Sequence, residues 1–193
     1  RTYFITLPDL LDWMRFGYFS NETSFEERIE QIKNADLLIL DDFGTENATD
    51  WAKEKIFQII NFRYINKLPT IITTNINKDK FEERIGSRVS DGDLVTTINI
   101  LAPDYRQKNQ DFQTHHPLST LGILAQSASF NNFDLRKKEA GLETINKQKL
   151  EAAFDTARTY ANEPNGWLVI TGKPGSGKTH LAAAIANSWA AQF

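Results

Sequence analysis

Five stretches of this 193-residue chain are dense in aliphatic and β-branched residues. They are RTYFITL (Arg1–Leu7), the aliphatic part of ADLLILDDFG (Ala35–Gly44), LPTIITTN (Leu68–Asn75), LVTTINIL (Leu94–Leu101) and WLVIT (Trp167–Thr171). Short apolar runs bounded by polar residues predict strands buried on both faces. Elsewhere apolar positions recur every three or four residues, which predicts helices over Leu10–Phe16, Phe25–Lys33, Thr49–Asn66 and Lys78–Ile85. A further helix is predicted after Thr179, where Leu181, Ala184, Ile185 and Trp189 share one face of an alanine-rich segment free of Gly and Pro. Strands alternating with helices predict an α/β domain with a parallel sheet covered on both sides.

The strand at Trp167 runs directly into GKPGSGKT, in which Gly172, Gly177, Lys178 and Thr179 satisfy G-x-x-x-x-G-K-[ST]. Strand, glycine loop and helix stand in the order that a phosphate-binding loop requires. The glycines let backbone N–H groups curl around phosphate oxygens, and the helix N-terminus adds a favourable dipole. Lys178 is expected to reach the β- and γ-phosphates and the Thr179 hydroxyl to ligate Mg²⁺. Pro174, Gly175, Ser176 and His180 complete the predicted ATP-binding segment. The competing reading is an ordinary glycine-rich turn ahead of a surface helix, which would not call for both flanks.

LLILDDFG supplies a second candidate. A carboxylate at the tip of a central parallel strand faces a nucleotide bound there, so Asp41 is assigned to Mg²⁺, through water, and Asp42 to the attacking water. A solvated strand end is the alternative for this pair taken alone. Asp42-Phe43-Gly44 copies the protein-kinase metal triplet, but no H-R-D-type catalytic loop accompanies it. Asp41–Gly44 also fits D-x-x-G of GTPases, yet no N-K-x-D follows, and NKDK at Asn77–Lys80 has its acid one place early. Adenine is therefore favoured over guanine.

Composition adds limits rather than direction. Forty percent hydrophobic and 24% charged residues are globular values, and no apolar run is long enough to span a bilayer. The absence of cysteine excludes disulfides and thiolate metal sites. A net charge of −3 provides no general attraction to nucleic acid, so any such contact must be local. No repeat or low-complexity tail is present. His115-His116 has no spaced partner ligands, which argues against a metal site.

The phosphate loop, LLILDDFG, the strand ending in TTN, RIGSRV (Arg84–Val89) and APDYRQ (Ala102–Gln107) together resemble the AAA+ ATPase domain of the DnaC/DnaI helicase-loader and IstB transposition-helper group, over nearly the whole chain. The resemblance implies a P-loop NTPase (AAA+/ASCE) three-layer sandwich with a five-stranded parallel sheet; the sequence departs from the group in showing no C-terminal helical lid after DYRQ. It implies Mg²⁺-dependent ATP hydrolysis in the cytoplasm by a DNA replication helicase loader that binds single-stranded DNA and assembles with a replicative helicase. The close alternative is a transposition helper whose partner is a transposase. Asn75 matches the polar sensor of the γ-phosphate, and Arg88 the arginine finger offered to a neighbouring subunit, which implies self-association. Arg106 resembles a further arginine near the end of the domain. Asp42 stands where many AAA+ enzymes have Glu, which implies slow turnover stimulated by a partner or DNA.

Several residues keep a second reading. Arg84 and Arg88 lie one helical turn apart beside Glu82 and Glu83, as on a solvated face, and Arg84 is left there. In DLLDWMRFGYFS (Asp9–Ser20), Arg15, Phe16 and Tyr18 are candidate single-stranded DNA contacts, whereas Leu10, Leu11 and Met14 read as core. A small-molecule kinase would share the phosphate loop but needs a second substrate pocket with an arginine-bearing lid, for which no segment is seen. A binding module that barely hydrolyses ATP is the third option. Finally, residues 108–193 resemble the amino-terminal half of the family's domain and residues 1–107 its carboxy-terminal half. The whole is thus expected to be one domain in permuted order, with the seam between Lys108 and His116. The chain is either a circular permutant or two pieces of one domain in swapped order.

Overall fold

The computed structural model describes residues 2–17, 22–44, 48–77, 80–101, 127–136 and 144–191. All five expected strands form: β1 (Thr2–Thr6), β2 (Leu37–Asp41), β3 (Thr70–Thr74), β4 (Val95–Ile100) and β5 (Trp167–Gly172). They make one sheet in the order β1-β2-β3-β5-β4, with every pairing parallel. The last strand in sequence is therefore central, hydrogen-bonded to β3 from Thr70↔Trp167 to Thr74↔Thr171 and to β4 from Val95↔Trp167 to Ile100↔Gly172.

Among the described residues six α-helices flank the sheet: α1 (Leu7–Gly17), α2 (Glu22–Lys33), α3 (Asp50–Ile65), α4 (Glu83–Val89), α5 (Thr144–Asn162) and α6 (Lys178–Ala190). Side chains on successive strand positions point to opposite faces, and the two cores follow that alternation. Leu38, Leu40, Ile72, Trp167 and Val169 pack with Leu10, Ile29, Ile56, Ile60 and Val89 of α1 to α4. Leu37, Ile39, Ile71, Leu168 and Ile170 pack with Leu150, Ala157, Leu181 and Ile185 of α5 and α6. This is the three-layer α/β sandwich of a P-loop NTPase; β2, β3 and β5 are buried on both faces for most of their length, whereas the edge strands depart from the expected double burial, β1 being half-buried and β4 exposing Thr96, Thr97 and Asn99.

Two helices depart from expectation. The one predicted over Lys78–Ile85 is displaced: α4 begins at Glu83, after an extended Glu82 at φ −51° and ψ 135°, and continues to Val89. Helix α5 was not anticipated. It buries Leu150, Ala153, Ala157, Tyr160 and Ala161, and a stripe dominated by alanines gives a weak apolar signal. Leu10, Leu11 and Met14 are core, as their spacing predicted. Arg1, Phe193 and the expected seam at 108–116 lie outside the described residues, as do Arg106 and the two histidines.

At the N-terminal edge of the sheet, Arg63 of α3 is fully buried. Its guanidinium donates to the carbonyls of Ile32 (3.3 Å), Lys33 (2.8 Å), Ala35 (2.9 Å) and Pro69 (2.6 Å) and to the Thr70 hydroxyl (3.0 Å). These acceptors include the last carbonyls of α2 and the lead-ins to β2 and β3, so one side chain ties three elements together and complements the negative end of a helix. Burial lowers its pKa to about 10, which still leaves it charged at neutral pH. Among the described residues no helix is long and apolar enough to cross a membrane.

Candidate functional site: a phosphate loop facing paired carboxylates

In an open parallel sheet, ligands bind beyond the C-terminal ends of the strands. Here β2, β3 and β5 bring Asp41, Thr73 and the glycine loop together at that edge. The loop between β5 and α6 needs its glycines for shape. Gly177 caps α6 at φ 100°, where a Cβ would come within 2.9 Å of the Phe133 ring. Gly172 has φ 152°, and a Cβ there would approach the Ile100 carbonyl oxygen to 2.3 Å. Any other residue at these two positions would distort the loop.

Lys178 is buried at the start of α6, and its Nζ donates to the Lys173 carbonyl at 2.9 Å, folding the ammonium back over the loop. The next residue makes the contact that unites the two motifs. Thr179 Oγ1 donates to the Asp41 carboxylate, 3.1 Å from Oδ1 and 3.0 Å from Oδ2, although the residues are 138 positions apart in sequence. Thr73 Oγ1 donates to Asp41 Oδ1 at 2.5 Å and itself accepts from the Asp42 N–H at 3.0 Å. Asp42 adopts φ 54°, a left-handed conformation that Asp tolerates better than most residues. Asn75 Nδ2 lies 3.4 Å from Asp42 Oδ1, while its Oδ1 is buried without a partner.

Asp41 is only 3% exposed, and its carboxyl pKa is raised. Desolvation is the main cause, opposed by the Thr73 hydrogen bond, with the neighbouring Asp42 charge raising it further and Thr179 and Lys178 lowering it. An ionised Asp41 is thus a cost to the folded state that a divalent cation would offset. The donor set fits such an ion: a carboxylate and a hydroxyl, both oxygen ligands, at the mouth of a loop built for phosphate. The orphaned Asn75 oxygen and the buried, unpartnered Ser176 Oγ are further polar atoms at this edge.

The remaining loop residues are braced from outside. Gly175 offers its carbonyl to Arg136 Nη2 at 3.2 Å. His180 Nε2 faces two acceptors, the Ser129 carbonyl at 3.1 Å and Asn132 Oδ1 at 3.0 Å, and so carries its hydrogen there; its ring meets Phe133 edge-on at 5.3 Å. His180 thus fastens the segment 127–136 to the first turn of α6. Pro174 lies exposed on the loop.

Arg88 is elsewhere. Its contacts run to α3 and to its own helix, through Asn61 Oδ1 and the Arg84 carbonyl, rather than to the phosphate loop. Arg84 pairs with Glu82 and Glu54, as a surface residue would. Tyr18 and the side chains of Arg15 and Phe16 lie outside the described residues. Sequence reading passed over Thr73, Arg136 and Asn61. Thr73 alone carried a signal, as part of the polar strand end TTN.

The profile of the IstB-like ATP binding protein family matches residues 1–100, slightly over half of the chain. The chain belongs to that family. The matched part of this IstB-like protein holds Asp41, Asp42, Asn75 and Arg88, whereas the phosphate loop lies beyond it and is joined to it by the fold. Replicative helicase loader DnaC of Escherichia coli K12 is 32% identical over 87 residues, covering 45% of this chain and 36% of that protein. Phage-like element PBSX protein XkdC of Bacillus subtilis is 29% identical over 72 residues, 33% of this chain and 27% of that one. Chromosomal replication initiator protein DnaA of Streptococcus agalactiae is 28% identical over 148 residues, 70% of this chain and 31% of its own length. The IstB-like chain therefore aligns with about a third of each of these relatives.

Proposed function

We propose that this IstB-like ATP-binding protein is the ATP-hydrolysing core of a helicase loader. ATP would lie over the loop from Gly172 to Thr179, with Lys178 on the β- and γ-phosphates. Thr179 and Asp41 would hold Mg²⁺, which would supply charge neutralisation on the phosphates. Asp42, steadied by Asn75, orients and deprotonates the attacking water, and Arg88 reaches the nucleotide of a neighbouring copy. The observation carrying this reading is the hydrogen bonding of Thr179 to both Asp41 oxygens, which makes one site of two motifs from opposite ends of the chain.

Single-stranded DNA binding and docking to a replicative helicase are supported by the similarity to DnaC, and a replication role also by that to DnaA. A transposition helper is the second reading, supported by the family profile. The central place of β5, and the packing of α6 across β1, β2 and β3, support a single domain in permuted order.

Phosphate release measured with and without single-stranded DNA tests the loader reading. Turnover should rise severalfold with DNA, and Arg88→Ala should bind ATP normally but hydrolyse it about a hundredfold more slowly. Mixing Arg88→Ala with Lys178→Ala should restore part of the activity at shared interfaces. Indifference to DNA would remove the loader reading, and full activity of Arg88→Ala would remove that residue from the site.

A further inference from the structure

Helix α3 carries Phe57, Asn61 and Tyr64 at spacings of four and three, so they line one stripe, and α4 presents Arg84 and Arg88 to it one turn apart. The two arginines are treated differently. Arg84 stacks on Phe57 at 4.2 Å and is neutralised by Glu82 at 2.7 Å and Glu54 at 3.1 Å. Arg88 also stacks on Phe57, at 4.8 Å, and on Tyr64, at 5.7 Å. Its hydrogen-bond partners, however, are neutral: Asn61 Oδ1 accepts from Nε at 2.9 Å and Nη2 at 2.6 Å, and the Arg84 carbonyl accepts from Nη1. Tyr64 is in turn fixed by donating its hydroxyl to Asp91 at 2.5 Å.

We infer that Asn61 is a positioning residue for Arg88, holding its guanidinium in a fixed orientation without cancelling its charge. The inference rests on the reading of Arg88 as a finger for a neighbouring copy's nucleotide. A guanidinium has five N–H donors, and among the described residues three bonds are made, which leaves two N–H groups for an outside oxyanion. A carboxylate in the place of Asn61 would hold the side chain equally well but would neutralise it, as Glu82 and Glu54 do for Arg84. An amide holds it and leaves the charge available to a phosphate. Ordering the long side chain before the neighbour arrives removes much of the entropy that docking would otherwise cost.

The test compares Asn61→Ala, Asn61→Asp, Arg88→Ala and the Asn61→Ala/Arg88→Ala double variant of the full chain, by melting temperature, ATP affinity and turnover number. Asn61→Ala should leave ATP affinity unchanged and lower turnover about tenfold. In the Arg88→Ala background it should have no further effect on turnover. Asn61→Asp should melt no lower than the parent, since it retains the acceptor and gains an ion pair, yet turn over about tenfold more slowly. A purely structural Asn61 would be satisfied by Asp, so full turnover of Asn61→Asp overturns the inference even if the alanine variant misfolds. Should Arg88→Ala slow turnover while Asn61→Ala and Asn61→Asp do not, the positioning role alone falls. Should Arg88→Ala itself be fully active, the finger reading falls first.

Discussion

Lys178→Ala is expected to weaken ATP binding about a thousandfold while leaving the fold intact. The ammonium is buried at the first position of α6 and held over the glycine loop by the Lys173 carbonyl, at the positive end of a helix dipole. A triphosphate brought there meets a partly desolvated cation, and truncating one member of such a pair costs about 4 kcal/mol, which is that factor in affinity. The loss should be confined to binding. Lys178 donates to a carbonyl of the loop itself, and alanine is a good helix former at the first position of α6. Titration calorimetry with ATP and Mg²⁺, alongside a thermal melt, checks both halves. Equal affinity in the variant and the parent would remove the phosphate assignment.

Arg63→Ala should destabilise the protein by about 3–5 kcal/mol, a large part of the margin by which a domain of this size is folded. Deleting the side chain removes a donor from four carbonyls and from the Thr70 hydroxyl, all of them in buried or half-buried surroundings, and it also leaves a cavity between α2, α3 and the strand lead-ins. Arg63→Lys should recover less than half of the loss. A lysine has three donors at one point and cannot span acceptors arranged around a planar fork. Urea unfolding of the three proteins reads the effect directly, and a loss below about 1 kcal/mol for Arg63→Ala would show that the cage is ornamental.

The contrast between Lys178 and Arg63 indicates what was legible in the sequence. Lys178 sits in a local pattern, strand–glycine loop–helix, that can be read from one continuous stretch of the chain, Trp167 to Trp189. The same holds for the buried strands, because β2, β3 and β5 are covered on both faces and so lack polar interruptions. Arg63 had no such signal. Its partners come from two separate segments, 32–35 and 69–70, that only the fold brings together, so its own helix does not distinguish it from any other helical arginine. Asn61 was missed for the same reason, since it acts on a residue 27 positions away, and Thr73 was passed over within the polar strand end TTN because its contact with Asp41 lies 32 positions away. Helix α5 was lost because alanine fills its buried stripe, and α4 was misplaced because its start depends on an extended Glu82 rather than on a capping side chain. Arg88 was legible as a residue type in a motif. That no carboxylate pairs with it among the described residues, unlike Arg84, appears only when the face of α3 is in place.

The most direct test of the account is phosphate release from ATP by the parent chain and by Asp42→Asn, each with bound nucleotide measured in parallel. If β2 and β5 form one hydrolytic site, the parent should release phosphate in a Mg²⁺-dependent manner. Asp42→Asn should bind ATP with unchanged affinity and turn over about a hundredfold more slowly, because only the carboxylate can take the proton from the attacking water. Phosphate release by Asp42→Asn at the parent's rate, or none from the parent with or without single-stranded DNA, would contradict it.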